Sequence, residues 1–444
     1  MRKLTEQSAQ INKIYYKSLI INEEDFYSLP FFIKIGVFMC LYIFFILIAL
    51  FFVFNKKISF KNSLIEIFIS GFFTRLNFIF NTTIYDYAND VYEHKEYIKY
   101  ILENNWKIPT ISMIEINPIV YHPPLFHYLC AVFIKCNLFF ENNLENCFKN
   151  LQYLLLVINL VTLFFMYKII IELDITNKFA FFLLTFVPPM IWLSSFLNND
   201  TLLFMFIFII IFYTLKWFKN KNIKYMVIIA ICSSLAMMTK FSILILVLCL
   251  GLIAALLLKD GTLDLLKQFL CFIIIFTTGF WFNIINIVKG YSPFLMVMPL
   301  ETENFRKLDL YKLFLIDKYQ IVNPFATTNI NPTTNKNNIN YFLYVIKSFL
   351  FAEKTHEKYR FLFLLILLAF IIIFIVSIIH LFKFKNKDIS ILFLKMYIII
   401  SFIIHLIYIL GSPFVCTINA RYIMPQLFIL LILLFKQNKS EINT

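Results

Sequence analysis

The chain has 444 residues, 61% hydrophobic and 19% aromatic, with 56 phenylalanines and only 15% charged residues. Soluble domains use about 45–50% apolar residues, so a soluble fold is excluded and the repeated apolar runs define an all-α polytopic membrane protein. The formal charge of +14 does not imply a nucleic-acid partner: the lysines cluster in short loops between apolar runs, a pattern that orients helices in a bilayer.

Residues 1–30 form a polar N-terminal segment, too long and too polar for a cleavable signal peptide. The run from Phe31 to Asn55 is therefore expected to be a retained span. Further apolar runs follow at 62–82, 150–170, 178–196, 201–217, 225–240, 241–258, 268–287, 359–381, 389–410 and 422–436, for about eleven transmembrane helices. Lysines 56, 57 and 61 fill one short loop, and lysines 216, 219, 221 and 224 a second. Lysines 383, 385 and 387 fill a third, and Lys436 and Lys439 follow the last run. Placing all four groups in the cytoplasm satisfies the parity of the spans if residues 124–140 do not cross.

This topology puts 83–149 and 288–358 outside. It divides the chain into a membrane core over 31–287 with a catalytic outer loop at 83–149, an outer loop at 288–358, and C-terminal membrane helices over 359–444. The first loop holds eight acids against five lysines. Its stretch "PPLFHYLCAVFIKCNLFF" is a marginal span and a reasonable interfacial helix. The cysteines lie mostly inside apolar runs as small core residues. Cys130, Cys136 and Cys147 are the outer ones that a disulfide could join, and no CxxC pair marks a zinc or redox site.

Five stretches carry chemistry. In "YDYANDVYEHKEY", Asp90 and His94 are four apart and share one face of a helix. A carboxylate beside a histidine can act as a general base or bind a cation; acids at a helix N-terminus also simply complement the macrodipole. "YHPPLFHYL" sets His122 and His127 around two prolines that start a helix, and both histidines can equally be plain interfacial residues. "SSFLNNDTLLF" places Asp200 between two apolar runs, and "SSLAMMTKFSIL" places Lys240 likewise, with no acid nearby in sequence. A lone lysine at membrane depth costs about 2.5–3.5 kcal/mol, so it needs an edge position or a partner. "TINARYIMPQ" opens the last run with Arg421, whose planar fork suits a phosphate. Snorkelling toward headgroups is the alternative for both cations.

Taken in order, the Asp-x3-His helix, "YHPPL", the outer "NND", "TK" between spans and "RY" near the end resemble GT-C glycosyltransferases. The resemblance is to the family-39 type, the protein O-mannosyltransferases and the lipid A aminoarabinose transferases. "SFLFAEK" also resembles a family segment, with Ala352 where glycine is common, and adds Glu353 to the substrate-binding candidates. The resemblance implies a multi-pass enzyme of the cell membrane, active on the extracytoplasmic face. It uses a polyprenyl-phosphate-linked sugar and an extracytoplasmic acceptor. The catalytic carboxylate would be Asp90, with Asp86 as the fallback, tuned by His94 or His122. Lys240 and Arg421 would hold the donor phosphate and Asp200 would shape the donor pocket. The resemblance implies no certain cofactor, and a divalent metal is compatible with the site. A secondary transporter or flippase fits less well, since it would show Gly/Pro-broken helices in two related halves and the chain has only seven glycines and no visible repeat. A lipid-linked oligosaccharide polymerase or ligase would place an arginine-rich loop late in the chain, where this one is rich in lysine and asparagine.

Overall fold

The computed structural model describes residues 29–86, 90–109, 118–258, 263–289, 314, 340–352, 360–383, 388–411 and 415–437. Among these residues every regular element is a helix. In chain order the α-helices are α1 (Leu29–Phe54), α2 (Phe60–Asn81), α3 (Val91–Glu103), α4 (Leu125–Asn137), α5 (Leu144–Lys149), α6 (Leu151–Glu172), α7 (Lys178–Phe186) and α8 (Pro188–Trp192). They continue as α9 (Asn199–Asn220), α10 (Ile223–Met237), α11 (Leu244–Leu258), α12 (Leu263–Thr277), α13 (Trp281–Val288), α14 (Tyr341–Phe351), α15 (Arg360–Lys383), α16 (Ile389–Gly411) and α17 (Met424–Leu434).

All eleven apolar runs fold as helix. Among the described residues eight helical stretches have the length and hydropathy to cross a bilayer, and the pair α7–α8 makes nine if its 57° bend lies within one span. The runs at 225–240 and 422–436 form helices of 15 and 11 residues, shorter than the roughly 20 residues of a full crossing. Helix α4 has 13 residues, so at about 1.5 Å per residue it reaches only about 20 Å. That is short of a bilayer core of about 30 Å, and the helix packs against α3. Cys130, Cys136 and Cys147 are unbridged. Most of the 288–358 loop, apart from α14 and its flanks, the lysines at 385, 387 and 439, and the polar residues 1–28 lie outside the described residues.

Helix α9 sets the long axis. At its Asn220 end the charged loops gather: Lys219 Nζ pairs with Glu172 at 2.8 Å, and Lys436 Nζ donates to the Leu173 carbonyl. Near its Asn199 end lies the start of the acidic loop. There the Gln152 amide donates to the Thr82 carbonyl at 2.9 Å and to Ser195 Oγ at 2.6 Å. Ser195 in turn donates to the Thr83 carbonyl at 3.1 Å.

Between the two ends sits a buried arginine. Arg75 on α2 is fully buried, and its guanidinium donates to Asn159 Oδ1 at 2.6 Å, the Gly71 carbonyl at 2.8 Å and the Thr185 carbonyl at 3.0 Å. The last contact follows from the sequence "TFVPP". In a continuous helix the Thr185 carbonyl would accept from the N–H of residue 189, but Pro189 has none. At membrane depth a bare carbonyl is costly, and Arg75 supplies the missing donor. The bend is thereby held by α2 and α6 at once.

Gly71 makes this approach possible, because a Cβ there would lie 2.3 Å from Thr185 Cγ2. Gly71→Ala should therefore destabilise the detergent-solubilised protein by about 1–3 kcal/mol, the usual cost of overpacking. Adding Thr185→Ser removes the clashing methyl and keeps the hydroxyl, so the double variant should recover most of the lost melting temperature. A double variant no better than Gly71→Ala would show that the fit at this contact is not what Gly71 provides.

Candidate active site

Asp90 is the N-cap residue of α3. One helical turn on, His94 presents to the same face, with its Nε2 4.0 Å from Asp90 Oδ2. The helix buries Val91, His94, Tyr97, Ile98 and Ile101, an apolar stripe at helical spacing that fixes which side Asp90 faces. Two other segments complete its surroundings. The Asn198 amide donates to both carboxylate oxygens, at 3.2 and 3.1 Å, and Arg421 Nη1 donates to Oδ2 at 3.0 Å.

Each partner is itself held by a cap. Asn198 starts α9 and its Oδ1 accepts from the Asp200 N–H at 2.9 Å, which turns its NH2 toward Asp90. Arg421 lies in the 3-10 turn Ala420–Tyr422, where Asn419 Oδ1 accepts its N–H at 3.0 Å and Ser348 Oγ accepts the Ala420 N–H at 2.9 Å.

Lys240 gains the partner that its local sequence lacks. It stands extended in the break between α10 and α11, and its Nζ lies 2.6 Å from Asp200 Oδ1, with both side chains nearly buried. The Tyr422 ring faces both cations, 5.3 Å from Lys240 Nζ and 5.4 Å from Arg421 Cζ, in the range of cation–π attraction. Neither cation snorkels. Both turn inward onto carboxylates.

The prolines of "YHPPL" lead into the same cluster. The Leu125 N–H, at the head of α4, donates to the Met238 carbonyl at 3.1 Å, tying α4 to the turn that carries Lys240. The His122 ring lies parallel to that of His94, with centroids 6.4 Å apart, and its carbonyl accepts from Tyr97 Oη at 3.3 Å. His127, one turn into α4, lies 2.9 Å through Nε2 from His94 Nδ1.

Electrostatics follow from this packing. Burial raises the Asp90 pKa, but Arg421, His94 and Lys240 outweigh it and hold the carboxyl below its ordinary value. Burial, reinforced by Lys240 and Arg421 against the pull of Asp90, pushes His94 down to about 4. His122 and His127 are lowered by burial as well. All three imidazoles are therefore neutral near pH 7. Among the described residues no group of three or more His, Cys, Asp or Glu side chains is arranged to hold a metal ion.

The structure thus brings together Asp90, His94, His122, Asp200, Lys240 and Arg421 from five separate segments. Asp86 stands apart in role: it is exposed, and its Oδ2 accepts the Thr83 N–H at 2.6 Å. Glu353 lies outside the described residues. Sequence reasoning gave Asn198, His127 and Tyr422 no role of their own in the site. Asn198 carried a readable signal, an Asn immediately before a helix.

A family model described as dolichyl-phosphate-mannose-protein mannosyltransferase matches residues 121–284. That match supports a membrane glycosyltransferase of the GT-C type. The matched stretch begins at the tyrosine of "YHPPL" and includes Asn198, Asp200 and Lys240, while Asp90 and Arg421 come from either side of it. No curated protein matches the chain.

The depressed Asp90 pKa gives a testable sign. A carboxyl that titrates below its ordinary value of about 3.9 stabilises the fold above that value, and the contribution fades as pH falls through the folded pKa. Arg421→Met should therefore lower the melting temperature in detergent at pH 7, with the gap to the wild type closing below about pH 4. A gap that stays constant from pH 7 to pH 3 would mean that Arg421 contributes packing and not charge.

Proposed function

We propose that this transferase moves a sugar from a polyprenyl-phosphate donor to an acceptor hydroxyl, with inversion, on the extracytoplasmic face of the cell membrane. Asp90 is the general base. The observation that carries this reading is the division of labour on its carboxylate. Oδ2 is taken by Arg421 and Asn198, whereas Oδ1 meets Asn198 alone. Oδ1 is thus the oxygen open to an acceptor, and the side chain keeps 27% exposure for its approach.

In the reaction the acceptor oxygen forms a bond to the anomeric carbon as the bond from that carbon to the phosphate oxygen breaks. The hydroxyl proton passes to Asp90, and the phosphate leaves with the electron pair. Arg421 and Lys240 stabilise the departing charge. A base held at low pKa is weak at rest, and donor binding corrects this. A phosphate drawn onto Arg421 and Lys240 competes for the same cations that depress Asp90, so the carboxylate becomes more basic when the donor is in place. His94 orients the carboxylate, and Asp200 sets the position of Lys240.

The positive-inside pattern supports the side. Lys219 and Lys436 lie at the end of α9 away from Asp90, and lysines at the cytoplasmic end support an extracytoplasmic site. The acceptor is a hydroxyl of a protein, lipid or glycan.

Mass spectrometry of envelope glycans and lipids, with and without the gene, tests the reading: one hexose- or pentose-bearing product should disappear. Restoring the gene as Asp90→Asn should leave that product at least about a hundredfold below wild type, since general-base catalysis contributes 10²–10⁴-fold. Asp86→Asn should stay within about tenfold. An envelope unchanged by deletion, or an Asp90→Asn variant that restores the product fully, would overturn the proposal.

A further inference from the structure

His127 is absent from the chemistry just described, yet it is fully buried and shares a short contact with His94. Its ring stacks on Tyr97 with centroids 3.9 Å apart, so its orientation is fixed by α3 as well as by its own helix. Between His94 Nδ1 and His127 Nε2, 2.9 Å apart, there is room for one proton. Both rings are neutral, so each carries a single N–H, and two arrangements exist.

In the first, His94 keeps its proton on Nδ1 and donates it to His127. His94 Nε2 then presents a lone pair to the Asp90 carboxylate, and two electron-rich atoms oppose each other in a buried site. In the second, His127 donates from Nε2 to His94 Nδ1. The His94 proton then sits on Nε2 and points toward Asp90 Oδ2, 4.0 Å away, a distance that can tighten when substrate fills the site. Only the second arrangement gives the carboxylate a donor.

The geometry points to His127 as a positioning residue that fixes the Nε2–H tautomer of His94 and, through it, the orientation of the Asp90 carboxylate. The inference rests on Asp90 being the base. It makes Asp90, His94 and His127 a relay of orientation, each member holding the next through a single proton. His94 Nε2 faces Oδ2, the oxygen already held by Arg421, so Oδ1 stays directed at the acceptor. His122, whose ring is parallel to His94 without a hydrogen bond to it, has no part in this chain.

Two measurements on the full-length protein test it. In ¹⁵N-histidine-labelled protein, protonated and bare ring nitrogens resonate at well-separated frequencies, and His94→Gln assigns the His94 signals. His94 should be protonated at Nε2. His127→Phe keeps the stack on Tyr97 but cannot donate, and should mix the His94 tautomers. His127→Gln can donate from its amide and should restore the Nε2–H form. A His94 protonated at Nδ1 in the wild type, or unmoved by His127→Phe, overturns the inference.

The second measurement is transfer from a radiolabelled polyprenyl-phosphate mannose, or from the sugar identified in the envelope comparison. His127→Phe should lower kcat at least about tenfold with donor KM unchanged, His127→Gln should recover most of it, and His127→Phe added to Asp90→Asn should cost nothing further. If Asp90→Asn is inactive while His127→Phe turns over normally, the relay fails and the base stands. If Asp90→Asn turns over normally, both fail.

Discussion

The architecture depends on one ion pair. Asp90 and Arg421 are 331 residues apart in the chain, and neither can be left unpaired near the membrane surface without several kcal/mol of penalty. Pairing them brings the first outer loop against the turn that opens the last helix. Asn198 adds the middle of the chain, since its amide bonds the same carboxylate. Three distant parts of a hydrophobic chain thereby converge on two oxygens. The surrounding helices contribute apolar packing that is largely interchangeable. This contact is not interchangeable, because it is directional and charged.

Around that pair the charges balance in miniature. Asp90 and Asp200 face Arg421 and Lys240, and three neutral histidines line one flank. Such a site sits comfortably in a low-dielectric setting while empty of substrate and still offers two cations to an incoming anion. Tyr422 lies within reach of both cations with its ring face, which keeps them close to one another despite their like charge. On the proposed reading the site exchanges one set of ionic partners for another, and a phosphate is the kind of partner that fits the exchange.

Much of this was legible in the sequence. The apolar runs, the lysine loops and the spacing of Asp90 and His94 are local patterns, and each states its consequence directly. The 13-residue limit of α4 follows from the position of its prolines and of Asn137. What a single sequence does not carry is which residues meet across long separations. Lys240 reads as a solitary lysine until Asp200, forty positions earlier, is folded against it. His127 reads as one more polar residue on an interfacial helix, because the burial that makes it informative comes from Tyr97 and Phe126 packed around it. Arg75 drew no notice inside its apolar run, since nothing near it in sequence explains a buried cation. The shorter helices at 223–237 and 424–434 likewise stop beside the turns that carry Lys240 and Arg421 onto their carboxylates, a demand that hydropathy does not express.

The bend between α7 and α8 has a consequence for how this chain can change over evolutionary time. Pro189 removes a donor from the Thr185 carbonyl, and Arg75, more than a hundred positions earlier, provides one. The two residues are halves of one device. An ancestor acquiring the proline alone would bury a bare carbonyl, and one acquiring the arginine alone would bury a cation with one acceptor fewer. Either step is costly alone and tolerable together, so across descendants of this fold the two positions should be inherited or replaced as a unit, with Gly71 as the silent third party that lets the helices come close enough for the exchange.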